Sequence, residues 1–199
     1  MKTADVAMSW GELMDQVHAW GTRNFGVVDA WVPLLGMVEE YGEYQDARTR
    51  VDSDGMQDAL GDQCIYALNF CKLVGCDWPP INAYSATPHS SLGKMAQALI
   101  KHRHGIRGFD DAKLRAQVSR CMVGWYGWIA SEAHRQGFPD IYRITTRVWA
   151  QVSGRDWLAY PDTGLAPRPN IVADDLEVDT TRERNQLWAQ EQMFREGKP

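Results

Sequence analysis

The stretch from Met56 to Val74 most constrains how this chain can fold. Drawn as a helix, it is apolar on nearly every side, and a helix that is apolar all round is a buried helix. Two carboxylates, Asp58 and Asp62, nevertheless lie within it. Buried carboxylates are strongly unfavourable unless they are paired or bound to a metal ion. The stretch therefore predicts a central buried helix whose acidic side chains need a cation.

A second acidic set lies on the preceding apolar segment, where Pro33 suits the first turn of a helix. Glu40 and Glu43 project from one face of that helix, whereas Glu39 points to a neighbouring face. Such a cluster alone is usually a solvated helix face. Here it stands beside the buried acids of the next segment, and neither segment has a basic residue one helical turn from these acids. The combination favours a site for a hard divalent cation, Mg²⁺ or Mn²⁺.

These two segments resemble the metal-binding motifs of a known enzyme family. The runs LGMVEEYGEY and DALGDQCIYAL are similar to the EExGE and ExxD motifs of the MazG-like (all-α) nucleoside triphosphate pyrophosphohydrolases. Glu40 and Glu43 match the ExxE pair, and Asp62 matches the aspartate that closes ExxD. One position departs from the pattern, because Ala59 stands where the family has the first acid of ExxD. Asp58, one residue earlier, still faces Asp62 from one helical turn back and can substitute.

The resemblance implies a fold, a reaction and a cofactor. The fold is all-α, a MazG-like helical bundle, and the reaction converts a (d)NTP to (d)NMP plus pyrophosphate by attack at the α-phosphorus. Two Mg²⁺ or Mn²⁺ ions would occupy each active site, and the protein would form a homo-oligomer, a dimer or a tetramer. The predicted catalytic residues are Glu39, Glu40, Glu43, Asp58 and Asp62, and the last four are the predicted metal ligands. Glu39 is a further ligand, the base that orients water, or a carboxylate at the rim.

Four further residues are candidates for binding the substrate. Steps of one turn from Asp62 bring Asn69 and Lys72 to its side of the helix, where they could meet the base or sugar and a phosphate. The alternative for Asn69 is a hydrogen-bonded amide of the core. The run GIRG at 105–108 resembles a loop of phage and bacterial members of the family. It marks Lys101 and Arg107 as groups that could meet substrate phosphates.

Two regions of the chain have similar sequence patterns but opposite net charges. Residues 33–76 have a net charge of −5 and residues 90–136 a net charge of +5, and the second region begins with a Leu-Gly run that aligns with the first. We expect a tandem pseudo-dimer, in which a degenerate second repeat has lost its acids and packs on the first. The predicted boundaries are a metal-binding repeat at 1–76, a linker at 77–91, the degenerate repeat at 92–157, and an extension at 158–199. The run VSGRDW at 152–157, which ends the second repeat, resembles the C-terminal end of the family together with TG at 163–164. The extension is expected to include a terminal helix at about 180–196.

Composition excludes several classes of function. A net charge of −5 provides no basic footprint for nucleic acid, and no run approaches the roughly 18 apolar residues of a membrane span. Neither a signal peptide nor a zinc-binding cysteine spacing is evident, so a cytoplasmic location is expected. Two other functions stay open. One is a non-hydrolytic nucleotide-binding or sensing protein, and the other is a helical interaction module with a surface acidic patch.

Overall fold

The computed structural model describes residues 8–80 and 86–166. Within them it contains six α-helices and no β-strand, which confirms the predicted all-α class for this part of the chain. The helices are α1 (Trp10–Phe25), α2 (Trp31–Thr49), α3 (Ser53–Val74), α4 (Pro88–Arg103), α5 (Asp111–Arg135) and α6 (Ile141–Val152), and a 3₁₀ turn (Ile106–Gly108) joins α4 to α5. The helix predicted at 180–196 lies outside the described residues.

Local capping chemistry determines where the helices begin and end. Ser9 and Glu12 form the predicted capping box at the start of α1, and Gly75 ends α3 in the left-handed conformation that glycine adopts without strain. Two helices begin earlier than the sequence pattern suggested. Asp52 accepts from the Gly55 N–H at 2.9 Å, so α3 begins at Ser53. Thr87 caps α4, so this helix takes up the last residues of the predicted 77–91 linker.

The predicted buried helix is α3, and it forms the centre of the fold. It packs against α1, α2, α5 and α6, and thirteen of its 22 residues are buried. Gly61 allows α6 to come close, because a Cβ atom at this position would lie 2.5 Å from Cγ2 of Val148. The packing of α3 therefore determines which part of the protein surface its acids, Asp58 and Asp62, can reach.

The described helices pack around two hydrophobic clusters. The largest cluster includes Leu60 of α3, Met95 of α4 and Trp125 of α5, so it spans both predicted repeats. A smaller cluster joins α1, α3 and α6 around Leu13 and Val148. Helices α1–α3 precede the boundary predicted at 76 and helices α4–α6 follow it, while the core runs across this boundary.

A buried polar cluster links α2 to α5. Glu132 is only 2% exposed, and it accepts hydrogen bonds from the Tyr44 hydroxyl and from Gln136 Nε2 at 3.0 Å, with Arg135 as its ion-pair partner. Burial alone would raise the pKa of Glu132, but these hydrogen bonds and positive charges lower it below its ordinary value. Glu132 shows how this fold stabilises an ionised carboxylate in its interior.

Candidate metal centre

The acids predicted as metal ligands come together where α2 packs on α3. A connection of only three residues, 50–52, joins these helices. Gln63 Nε2 on α3 donates to the backbone carbonyl of Glu40 on α2 at 3.5 Å. The charges of Asp62, Glu43, Glu39 and Asp58 all act on the Glu40 carboxyl. The other four predicted acids are thus close enough to Glu40 for their charges to act on it, and we call these five residues the acidic cluster.

Two members of the acidic cluster are partly buried, and their ionisation is disfavoured. Burial, followed by the charge of Asp62 and the other cluster acids, raises the pKa of Glu40 to about 8. Burial and the charge of Asp58 raise the pKa of Asp62 to about 7, against the opposing effect of Arg155. The remaining three acids are exposed. The surroundings of Glu40 and Asp62 therefore favour the protonated forms of these two carboxyl groups in the absence of a bound cation.

The acidic cluster differs from Glu132 in its partners. Within the part of the chain that the structure describes, the ion pairs are formed by other acids, namely Asp15, Asp111, Glu132 and Asp140. Arg155 influences Asp62 through its charge but forms no ion pair with it at contact distance. Buried or half-buried carboxylates without a paired cation are energetically unfavourable.

The donor set of the cluster fits a hard cation, because every candidate ligand is a carboxylate oxygen. Across residues 8–80 and 86–166, no three His, Cys, Asp or Glu side chains already form a metal-holding group. Like charges repel in the absence of a neutralising ion. Ligation thus requires the exposed Glu43 and Asp58 side chains to turn toward Glu40 and Asp62, which their positions one turn away on the same helices allow.

A cavity of about 640 Å³ adjoins the cluster, and we call it the acidic cavity. Glu40 and Asp62 line it together with Tyr66 and Asn69 of α3, while α1 and the α1–α2 connection supply mainly apolar walls. Burial and then the charge of Glu40 raise the pKa of Tyr66 to about 12, so its hydroxyl remains protonated. The cavity combines a charged end with an apolar body, as small-molecule sites commonly do.

The predicted substrate-binding residues are placed differently from one another. Asn69 lines the acidic cavity as predicted. Lys72 does not, because its Nζ lies 2.6 Å from Asp15 Oδ1 and it lines another concavity. Lys101 Nζ lies 3.3 Å from Gln97 Oε1, and Arg107 is exposed in the 3₁₀ turn with φ 56°. The structure therefore does not bring Lys72, Lys101 or Arg107 to the acidic cavity of their own chain.

Two residues that were not selected from the sequence do line the acidic cavity. His18 Nδ1 lies 3.0 Å from Asn69 Oδ1, so the Asn69 amide is held in place rather than isolated. Arg155 lies in the turn after α6, and its guanidinium is 6.0 Å from the centre of the Trp157 ring. The Trp20 indole N–H donates to the Arg155 carbonyl at 3.0 Å. The VSGRDW run was the available sequence signal for Arg155, whereas nothing local marked His18.

Compared with known proteins, this chain matches no family model, no curated protein and no solved structure. The resemblance to the MazG-like family therefore depends on the motifs themselves. Among the described helices, none has the length and apolar character needed to cross a membrane.

The raised pKa of Glu40 predicts how stability depends on pH in protein free of divalent metal. Glu40 keeps its proton up to about pH 8 in the folded chain, whereas an ordinary glutamic acid loses it near 4.5. The folded state thus binds more protons than the unfolded state in this window, and the free energy of unfolding falls as pH rises through it. Glu40→Gln should reduce this decrease in the free energy of unfolding, and the variant should be more stable than the parent protein near pH 8. Urea unfolding across the window measures both effects.

The matched control is Asp46→Asn, which removes an exposed acid from the same helix. Asp46 is not among the charges that raise the pKa of Glu40, so its removal should leave the pH slope unchanged. Equal slopes in the parent and in Glu40→Gln would contradict the assigned environment of Glu40.

Proposed function

We propose that the protein is a metal-dependent nucleoside triphosphate pyrophosphohydrolase that converts a (d)NTP to (d)NMP plus pyrophosphate. The observation that carries this proposal is the position of the acidic cluster. Two carboxyl groups with raised pKa values, Glu40 and Asp62 on adjacent helices, line a cavity of about 640 Å³, and the charges of the other three cluster acids act on Glu40. Strongly perturbed carboxyl groups in a cleft are typical of functional sites.

Glu40, Glu43, Asp62 and Asp58 are the residues that would hold Mg²⁺ or Mn²⁺, two ions in each site by resemblance to the family. When bound, such ions neutralise the triphosphate, polarise its phosphoryl oxygens and lower the pKa of a coordinated water. Glu39 lies beside these ligands and is exposed. It can accept a hydrogen bond from the attacking water, which orients that water toward phosphorus.

The remainder of the acidic cavity supplies groups for the rest of the substrate. Arg155 presents a permanent positive charge close to Asp62, where it can bind a phosphate oxygen. If His18 Nδ1 donates to Asn69 Oδ1, the Asn69 NH₂ group is left to donate to a base or sugar oxygen. The apolar walls exclude water from the bound nucleoside, and this strengthens polar interactions inside the cavity.

The proposal extends to the MazG-like bundle and to a homo-oligomer. The α2–α3 and α4–α5 pairs share one core, which is compatible with a tandem pseudo-dimer whose second pair has lost its acids. Lys101 and Arg107 lie away from the acidic cavity of their own chain. Either residue could meet a substrate phosphate only across a contact between chains or after a rearrangement.

A non-hydrolytic nucleotide-binding protein is the second candidate, and Ala59 is the observation that favours it. Ala59 occupies the position of the first ExxD acid and is only 2% exposed, so it faces the core. Asp58 must then supply the fourth ligand from the exposed side of α3. If Asp58 fails to do so, one metal position is lost and nucleotide binding can persist without turnover.

Product analysis tests the proposed reaction. The protein is incubated with each common NTP and dNTP plus Mg²⁺ or Mn²⁺, and we expect (d)NMP and pyrophosphate from at least one of them. Glu43→Gln and Asp62→Asn should lower kcat by more than about 100-fold, because even residues that only support metal ligands often account for 10–100-fold effects. Asp46→Asn on the same helix should retain activity. Diphosphate plus phosphate as products would refute the pyrophosphohydrolase assignment, and binding without turnover would favour the second candidate.

Arg155 provides a separate test of how the triphosphate is bound. Arg155→Gln should raise KM for the triphosphate, because a charge-assisted contact to a phosphate oxygen is lost, and Arg155→Lys should restore part of the affinity. Arg147→Gln removes an exposed arginine of α6 that does not line the acidic cavity, and it should change KM little. Equal kinetics in Arg155→Gln and Arg147→Gln would exclude a phosphate-binding role for Arg155.

A further inference from the structure

A second concavity, of about 890 Å³, lies between α2, α3, α4 and the start of α5. We call it the basic groove. Three large apolar side chains along it are about half exposed, namely Trp31, Leu35 and Ile100 at 48, 56 and 57%. Leu99 and Leu114 contribute further apolar lining. Contiguous exposed apolar surface of this kind marks a site that binds a partner.

The charge of the basic groove indicates what kind of partner it would bind. Its basic residues are Lys72, His102, Arg103, His104 and Arg115, against the two acids Asp29 and Asp111. Both acids are already engaged, because Asp29 Oδ2 accepts from the Trp31 indole N–H at 3.0 Å and Asp111 Oδ1 lies 2.6 Å from His102 Nε2.

Arg103 and Arg115 are not among the ion pairs formed within the described residues. The groove therefore presents two unneutralised guanidinium groups beside apolar surface. A partner that combines acidic and apolar side chains would be complementary to it.

Such a segment is present in this chain beyond the described residues. The run IVADDLEVD at 171–179 carries four acids, no basic residue and four large apolar residues. The other basic-free stretch of comparable length in residues 167–199, at 185–194, carries a single acid. Its composition is complementary to both the charge and the apolar surface of the groove.

The end of the described chain packs near the C-terminal end of α1. The Asp156 N–H donates a hydrogen bond to the Gly164 carbonyl at 2.6 Å. The adjacent Trp157 N–H donates to Oδ1 of Asn24, in the last turn of α1, at 2.8 Å. From the end of α1, the connection 26–30 leads to the part of the groove lined by Asp29 and Trp31. Residue 171 follows the last described residue by five positions, and five extended residues span about 16–18 Å.

From these observations we propose that residues 171–179 dock in the basic groove of their own chain. The acidic side chains of the segment contact Arg103, Arg115 and Lys72, and its apolar side chains cover Trp31, Leu35 and Ile100. The groove is thereby an intramolecular docking surface for the C-terminal segment, separate from the acidic cavity.

Zero-length carbodiimide cross-linking of the full chain tests this proposal, because it joins only an amine and a carboxylate that are in contact. Lys72 lines the groove, and its link to Asp15, 2.6 Å away, serves as an internal positive control. We expect Lys72 to be linked also to Asp174, Asp175 or Glu177. In an equimolar mixture of isotopically labelled and unlabelled protein, these links should join residues of the same chain.

Charge reversal supplies the control. Arg103→Glu combined with Arg115→Glu should lower the yield of links to 171–179 several-fold and leave the Asp15 link intact, since two favourable charge contacts become repulsive. Arg120→Glu, at an exposed position of α5 that does not line the groove, should change neither link. A Lys72–Asp15 link without any link to 171–179 would overturn the proposal. Links that join labelled to unlabelled chains would replace it with docking on a second copy.

Discussion

Burial of two carboxyl groups beside other acids at the α2–α3 contact is the constraint on which the candidate site depends. Glu40 and Asp62 are half-buried, and burial together with neighbouring negative charge disfavours the ionised form of both. Glu132 shows that the same fold can stabilise a more deeply buried carboxylate when hydrogen-bond donors and an arginine surround it. Among residues 8–80 and 86–166, the acidic cluster has no ion-pair partner of this kind. A bound cation would supply the missing positive charge, and the cavity beside the cluster would then hold the anionic ligand that the cation attracts.

The packing of α3 explains why the cluster forms at this point. Gly36 lets α2 approach α3 closely, because a Cβ atom at this position would lie 2.5 Å from the Tyr66 ring. On another side, Gly61 admits Val148 of α6. The turn after α6 then places Arg155 at the acidic cavity, and α1 places His18 against Asn69. The two glycine contacts therefore support a site that is assembled from four separate parts of the chain.

The sequence was sufficient to predict those features that depend on local periodicity. The apolar pattern from Met56 to Val74 predicted the central helix, and the spacing of Glu40, Glu43 and Asp62 predicted that their side chains share one region. Asn69, which lies on the same side of α3 as Asp62, lines the acidic cavity. Lys72 does not. At 100° per residue, ten steps along the helix leave Lys72 about 80° away from Asp62, whereas Leu73 lies within about 20° of it. Leu73 accordingly lines the acidic cavity.

His18 and Arg155 could not be selected by periodicity. Each reaches the acidic cavity through packing against α3 of an element distant in sequence, and no local pattern carries that information. The charge asymmetry between 33–76 and 90–136 was visible in the sequence, but its place in the fold was not. Part of the basic region, through Arg103 and Arg115, lines a groove away from the acidic cavity rather than the proposed substrate site.

Thermal unfolding with and without Mn²⁺ tests the central claim most directly. A ligand that binds only the folded state raises the melting temperature as its concentration exceeds its dissociation constant. We predict that Mn²⁺ raises the melting temperature of the parent protein and of Asp46→Asn, and that Glu40→Gln combined with Asp62→Asn abolishes this increase. The same double substitution should stabilise the metal-free protein at pH values where both acids are ionised. A melting temperature of the parent protein that does not respond to Mn²⁺, or that responds equally in the double variant, would contradict the assignment of the acidic cluster as a metal centre.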